Sequence, residues 1–337
     1  MPTIKEVAKT AGVSVATVSR VLNNNGYVGE DTREKVSQAI TELNYKPNAV
    51  ARSLYKKQSR TIGLIVPDIT NPFFPELARA VEDVMNRKGY TVILGNSDEK
   101  AEEEKAYLTM MEQKYVDGAI LATNTMDNEQ VHAFNKPVVA IDRAIDSTVP
   151  TVFSDNLSSS REAVRHLKDL GCQVIAHVRG PEHVNNANIR CQGYIDVVGE
   201  TNWFHNGYIV NGNYSSQEAY QSALTLLKDH PEIDGIFAGN DLMAIGVLKA
   251  ARDLNIVVPD QLAVIGFDGI SLCETTFPEL STMAQPIYQL GETAAEMLID
   301  LIEQKQLTKP YRKYSAQLIQ RQSTNKSLIM SAHDDQS

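Results

Sequence analysis

From Thr61 onward, short apolar runs alternate with longer amphipathic stretches, and few folds tolerate that rhythm. TIGLIVP, TVILGN, GAILAT, VVAID, TVFSD, VIAHVRG, IFAGN and LAVIGFD read as buried strands. Between them PELARAVEDVMNRKG, EEEKAYLTMMEQK, SREAVRHLKDLG, SSQEAYQSALTLLKD and LMAIGVLKAARDL read as helices. Strands separated by helices of roughly 10–15 residues predict an α/β fold of parallel sheets covered on both faces. The chain beyond residue 60 is long enough for two such sheets. In open α/β sheets a ligand lies beyond the carboxyl ends of the strands, so the residues directly after each run are the candidates for a site.

Those residues are polar or aromatic. Asn71-Pro72-Phe73-Phe74 follows the first run, Asp142-Arg143 follows VVAI, and Asn240-Asp241 follows IFAG. Phe267-Asp268 follows LAVIG, Gln285 follows MA, and Arg190 is expected to open a helix RCQGY. The combination suits a neutral polyol: aromatic faces stack on C–H surface, while Asp, Asn and Arg satisfy hydroxyls. A buried hydroxyl left unpaired would cost on the order of 1–3 kcal/mol, so such a site must be densely polar. Taken singly, Asp142 and Asp268 also read as strand-end carboxylates capping helices or turns. Grouped with Arg143, Arg190 and the paired phenylalanines they read as a site, and arginine neighbours are expected to lower their pKa values.

The first sixty residues are different in kind. They hold ten Lys/Arg against five Asp/Glu, a net +5, whereas the remainder holds 22 against 37, a net −15, within an overall −10. A basic head on an acidic body points to two tasks, one with a polyanion. Thr3 stands as N-cap with Glu6 completing a capping box. Gly12-Val13-Ser14 breaks the first helix, and Ser14 caps a second, VATVSRVL, with Val18, Val21 and Leu22 inward. A third helix, EDTREKVSQAITELN, buries Val36, Ala39, Ile40 and Leu43. This is a helix-turn-helix pattern, whose second helix enters the major groove. Arg20 is placed for guanine, Val15 and Ala16 for thymine methyls, and Ser14, Thr17 and Ser19 for phosphates. Thr3 and Asn23 complete the DNA-facing set. The pattern alone also fits a three-helix bundle with a solvated basic face. After it, Pro47 stops the preceding helix and Asn48 caps a short run, 49–54, that is marginal as an isolated helix.

TIKEVAKTAGVSVATVSRVLN, ELNYKPNAVARSL and TIGLIVPDITNPFF, at their spacing here, closely resemble the LacI/GalR family of bacterial repressors. The resemblance implies a helix-turn-helix head over 1–46, a hinge helix and linker over 47–60, and a two-lobed, periplasmic-binding-protein-like body over 61–326. It leaves 327–337 as a tail. It implies that Asn48–Tyr55 folds on double-stranded operator DNA, with Leu54 wedged into the minor groove beside Ala51, Arg52 and Tyr55. An apolar wedge unstacks a base step and kinks the duplex, and a hinge that orders only when bound lets a distant ligand control DNA affinity. By correspondence with ribose-binding members, the effector contacts fall on Phe73, Phe74, Asp142, Arg143, Ser154, Arg190, Asn240, Phe267, Asp268 and Gln285. Tyr214, in GNYSS, stands where those members place phenylalanine, and Ala122-Thr123-Asn124 does not align securely.

The implied protein is a cytoplasmic, nucleoid-associated homodimer released from its operator by a small sugar, ribose foremost. Another pentose, a purine corepressor or a phosphorylated carrier protein remain open as effectors, and a cytosolic sugar-binding or sugar-processing protein remains open as a different class. No dinucleotide-binding G-x-G-x-x-G, P-loop or G-x-S-x-G occurs, GVSVA being a near miss inside the head. The seven histidines are scattered, so neither a metal nor a cofactor is expected. Three cysteines, Cys172, Cys191 and Cys273, fit a reduced setting, with Arg190 placed to lower the Cys191 thiol pKa. GLIVP and GAILA are far too short to span a bilayer, and MPTIKEVAKT does not read as a signal peptide. Two carboxylates facing a sugar would suit a glycosidase, but a glycosidase has no use for the head, and no enzyme is expected.

Overall fold

The computed structural model of the chain describes residues 2–23, 25–45, 59–123, 125–143 and 145–325. Ala51, Arg52, Leu54 and Tyr55, with the rest of the expected hinge helix, Asn124 and the tail, lie outside the described residues. Contacts divide the chain into two compact units between Ser59 and Arg60.

Among the described residues the first unit contains three helices, α1 (Ile4–Ala11), α2 (Val15–Asn23) and α3 (Glu30–Glu42). Thr3 caps α1 in a capping box with Glu6, and Gly12 ends it in the left-handed region at φ 65°. The Ser14 hydroxyl accepts from the Thr17 N–H at 3.1 Å and so starts α2. Val7, Ala8, Ala11, Val18, Val36 and Ala39 are buried together. Val21, Leu22, Ile40 and Leu43, expected inside, pack half-buried at the rim of so small a core.

The second unit contains two six-stranded sheets. The strands are β1 (Thr61–Val66), β2 (Thr91–Asn96), β3 (Gly118–Leu121), β4 (Val138–Ile141), β5 (Thr151–Ser154) and β6 (Ile175–Arg179), then β7 (Ile209–Asn211), β8 (Gly235–Ala238), β9 (Ala263–Asp268), β10 (Ser281–Ala284), β11 (Tyr311–Tyr314) and β12 (Gln317–Ile319). The helices are α4 (Phe73–Arg87), α5 (Ala101–Gln113), α6 (Asn128–Ala133), α7 (Asn156–Asp169), α8 (Asn185–Val198), α9 (Ser216–Asp229), α10 (Asp241–Asp253) and α11 (Ile287–Ile302). The first sheet has order β11-β5-β4-β3-β1-β2 and is wholly parallel. The second has order β12-β10-β9-β8-β6-β7 and is parallel except for β12, which runs antiparallel to β10.

Apart from β2, a half-exposed edge strand, each apolar run is buried on both faces because side chains alternate along a strand. Ile62, Leu64 and Val66 join Leu77 and Val81 of α4 and Leu290 and Ala294 of α11. Ile65 and Leu121 face the other way, onto Leu108 and Met111 of α5. In the second lobe Ile236 and Val264 meet α9 and α10, while Phe237, Ile265 and Phe267 meet Val164 and Leu167 of α7 and Tyr194 of α8. The chain crosses between lobes after β5, after β10 and between β11 and β12. Asp155 joins two of these crossings: its N–H donates to the Tyr314 carbonyl at 2.7 Å, and its carboxylate meets Lys313 Nζ at 2.6 Å.

Several boundaries differ from expectation for identifiable reasons. α7 begins four residues before SREAV because Asp155 caps it, accepting from the Ser158 N–H. α8 begins at Asn185, so Arg190 lies in its second turn instead of opening the helix. The edge strands β7, β11 and β12 carry no apolar run, being half-exposed and short.

α9 and α10 approach so closely that a Cβ on Gly246 would lie 2.3 Å from the Ser216 carbonyl oxygen and 2.9 Å from the Tyr220 nitrogen. Backbone cannot yield as a flexible side chain does. Gly246→Ala is therefore expected to destabilise the protein by about 1–3 kcal/mol, measured as a lower urea midpoint of the far-UV circular dichroism transition.

Candidate functional site

A cavity of about 520 Å³ opens between the two lobes. Its wall is built at strand ends, as the topology requires. Asp68 follows β1, Asp98 and Glu99 follow β2, Ala122 follows β3 and Asp142 follows β4; from the other lobe come Asn213 and Tyr214 after β7, Asn240 after β8, Asp268 ending β9 and Gln285 after β10. Six of these, Asp98, Glu99, Asp142, Asn213, Tyr214 and Asp268, have positive φ, against eleven non-glycine residues in all among the described residues. Each such conformation costs about 1 kcal/mol or more, and its clustering at one place marks a functional wall. The amino ends of α4, α8, α9 and α10 also reach the cavity through Phe73, Asn186, Ser216 and Asn240, so their dipoles partly offset the carboxylates.

Arg190 organises the polar wall. Its Nε donates to Asn156 Oδ1 at 2.8 Å, and its Nη1 donates to the Gly239 carbonyl at 2.6 Å and to Asp268 Oδ1 at 3.0 Å. The guanidinium lies over the Phe267 ring, 3.9 Å from its centroid. Gln285 Nε2 donates to the same Asp268 oxygen at 2.7 Å, while Gln285 Oε1 is buried without a protein partner. Opposite, Asp142 Oδ1 accepts from the Ser154 N–H at 2.8 Å. Phe73 and Phe74 meet edge-to-face at 5.1 Å. The Tyr214 hydroxyl donates to Asn186 Oδ1 at 2.8 Å, so the ring faces the cavity much as a phenylalanine would while the hydroxyl is held by α8.

Burial, not arginine, dominates the titration of these carboxyls, against expectation. Withdrawal from water pushes Asp268 up to about 6 although Arg190 and Gln285 pull it down. Asp142 is raised for the same reason, with the Ser154 N–H and Arg190 opposing, and Glu99 is raised by burial with His183 opposing. Burial likewise raises the Cys191 thiol, whose neighbour Arg190 was expected to lower it.

Of the expected effector residues, Phe73, Phe74, Asp142, Arg190, Tyr214, Asn240, Asp268 and Gln285 line the cavity. Phe267, Arg143 and Ser154 do not. Phe267 is wholly buried because β9 turns it to the side of Ile265, where it supports Arg190 from behind. The Arg143 guanidinium is drawn away to the carbonyls of Thr123 and Met126, beside the buried Glu104 that accepts from the Thr125 hydroxyl and the Met126 N–H. Ser154 contributes its N–H to Asp142, and its hydroxyl is buried without a partner. Asp68, Asp98, Glu99 and Asn186 were missed. The strand-end rule reaches the first three, since Ser97-Asp98-Glu99 directly follows β2 and Asp68 nearly follows β1. Asn186 follows no strand and carries no such signal.

In the head, α2 presents Val15 (41% exposed), Ala16 and Arg20 to solvent, with Thr17, Ser19 and Asn23 half-buried. Thr3 is tied to Glu6, Ser14 to Thr17, and Asn23 Nδ2 donates to the Ser19 carbonyl at 2.8 Å. Among the described residues no group of His, Cys, Asp and Glu is arranged to hold a metal ion, and no helix is long and apolar enough to cross a membrane.

An exposed helix-turn-helix face and a two-sheet body with a polar cleft together define a ligand-responsive DNA-binding regulator. Residues 3–48 match the model of the lacI family of bacterial regulatory proteins, and residues 164–324 match that of the periplasmic binding protein-like domain. The chain belongs to the lacI family. It is 48% identical over 324 residues to the ribose operon repressor of Halalkalibacterium halodurans, covering 96% of this chain and 97% of that protein. A lac repressor dimer bound to operator and the anti-inducer ONPF superposes with TM-score 0.86 at 27% identity, covering 96% of this chain and 99% of that one. A LacI family regulator from Enterococcus faecium with bound ribose superposes with TM-score 0.70 at 31% identity, covering 78% and 98%. Raised carboxyls alone would suit a general acid; membership of a family of transcriptional regulators places the chain outside the enzymes.

Because the Asp142 pKa is raised on folding, its contribution to stability is fully present below its unfolded pKa and is lost as pH rises through the folded value. Asp142→Asn lacks this loss. Its melting temperature relative to wild type is expected to rise by a few degrees between pH 4 and pH 8, by calorimetry of the ligand-free proteins.

Proposed function

We propose that the chain is a cytoplasmic repressor of a sugar-utilisation operon, bound as a homodimer to a near-palindromic operator on the nucleoid and released by ribose. The observation that carries the sugar reading is the Arg190–Asp268–Gln285 network. It leaves a buried acceptor, Gln285 Oε1, without a protein donor at the wall of a cavity that also presents Phe73, Phe74 and Tyr214. Buried polar atoms are almost always paired, and a sugar hydroxyl supplies the missing donor while the aromatic faces cover its C–H surface. The ribose operon repressor of Halalkalibacterium halodurans and the ribose-bound Enterococcus faecium regulator support ribose in particular.

Two heads meet two half-sites related by the dimer's two-fold axis. Each α2 enters a major groove, with Arg20 on guanine, Val15 and Ala16 on thymine methyls, and Thr3, Ser14, Thr17, Ser19 and Asn23 along the backbone. In the hinge, Leu54 wedges the minor groove, flanked by Ala51, Arg52 and Tyr55. The sugar binds both walls of the cleft and draws the lobes together, and the altered dimer no longer holds the hinge segments for DNA. Coupling of this kind is worth about 1–3 kcal/mol, and reciprocity requires that operator weaken sugar binding by the same factor.

Calorimetric titration with ribose, other pentoses, hexoses and purines tests the effector: heat from ribose and none from purines is expected, and heat from another ligand but not ribose overturns the assignment. On an operator fragment, affinity should fall with salt at a log–log slope of about −0.9 per neutralised phosphate. Arg20→Ala should weaken that binding by about 1–3 kcal/mol with ribose affinity unchanged. A flat salt response excludes the DNA role.

A further inference from the structure

Asp241 is the first residue of α10, is wholly buried, and does not line the cavity. An acid at a helix start ordinarily caps or complements its own helix. Here Asn240 performs the capping, accepting from the Met243 N–H at 2.9 Å. The Asp241 carboxylate is directed elsewhere. Its Oδ2 accepts from the N–H groups of Gly269 at 2.6 Å and Ile270 at 2.9 Å, and its Oδ1 accepts from the Thr282 hydroxyl of β10 at 2.6 Å. The carboxylate lies against the backbone of β9, since a Cβ on Gly266 would come within 2.2 Å of Oδ1.

These bonds hold the turn immediately after Asp268. Asp268 has φ 114° and Gly269 has φ 83°, and a Cβ on Gly269 would lie 2.5 Å from that of Ala284. The turn therefore sits in a conformation that needs external support, and Asp241 supplies it from β8's side while bridging to β10. What the turn controls is the direction of the Asp268 carboxylate toward Arg190 and Gln285.

We propose that Asp241 is a positioning residue of the effector site, fixing the 268–270 turn so that Asp268 meets Arg190, Gln285 and the bound sugar. The proposal rests on the sugar reading above for its ligand, but not for its geometry. The groups facing Asp241 are Asp268, Thr282 and the Cys273 thiol. Asp268 is faced in turn by Arg190 and Asp142, and Arg321 lies beyond Cys273. Burial and the neighbouring Asp268 charge raise the Asp241 carboxyl, whereas Asp268 itself is raised by burial and Asp142 and lowered by Arg190 and Gln285, so its titration reports whether it still meets those two partners.

The test uses the full-length protein, ribose calorimetry, and ¹³C NMR titration of the Asp268 carboxyl without ligand, with Asp268→Asn identifying the signal. Asp241→Asn places an amide against two N–H donors and removes the charge. Ribose affinity is expected to fall roughly 10- to 100-fold, and the Asp268 midpoint is expected to move to higher pH as its carboxylate loses Arg190 and Gln285. A purely structural defect would weaken binding without moving that midpoint. Thr282→Val, which removes one donor and preserves shape, should fold even if Asp241→Asn does not; it is expected to lose about three- to tenfold in affinity with a smaller midpoint shift in the same direction. Affinity within twofold of wild type, or an unmoved midpoint, overturns the proposal. If the wild type binds no sugar, the effector reading fails, and the Asp268 titration alone decides the positioning role.

Discussion

The buried pairing of Arg190 with Asp268 organises the second unit of this protein. A guanidinium and a carboxylate withdrawn from water are tolerable only when every remaining donor and acceptor is answered. Asn156 and the Gly239 carbonyl occupy Arg190, Phe267 supports its face, and Gln285 shares Asp268. These partners come from β9, α7 and the segments after β8 and β10. One pair thus fixes the relative placement of several strand ends in the second lobe and of two crossings between the lobes. Removing either charge would leave the other buried and unpaired.

The crossings give the pair its reach. Asn156 follows the crossing after β5, Gln285 begins the crossing after β10, and Asp155 clasps the third through the Tyr314 carbonyl and Lys313. A ligand satisfying Gln285 on one wall and Asp142 on the other touches elements that change lobe. This is the geometry by which a small molecule biases a hinge, because its differential contacts with open and closed forms are the free energy that moves it.

Much of this architecture was legible in the amino-acid order, for local reasons. The eight apolar runs became strands because parallel sheets covered on both faces need unbroken apolar segments. The Thr3–Glu6 capping box and the Ser14 cap formed as expected because they involve residues three apart on a nascent helix. Positions after strands pointed to Asn71, Phe73, Phe74, Asp142, Asn240, Asp268 and Gln285, which line the cavity because topology places strand ends at the cleft, whereas Tyr214 came from the family resemblance alone. The rule failed where side-chain direction mattered. Phe267 and Asp268 are adjacent, yet one faces the core and the other the cavity. Arg143 follows Asp142 but answers to carbonyls on the loop after β3. The short polar edge strands gave no apolar signal, and Asn186 meets Tyr214 across 28 positions.

The order of residues by itself determined the two-part organisation, the helix-turn-helix, the alternating body and the family, all of which rest on local periodicity, charge segregation and motif spacing. Only the tertiary structure decided which polar residues face a ligand and which support those that do, and whether burial or arginine governs the carboxyls. Those outcomes depend on contacts between residues distant in the chain and on how far each group is removed from water, and neither quantity is written in any local stretch of sequence.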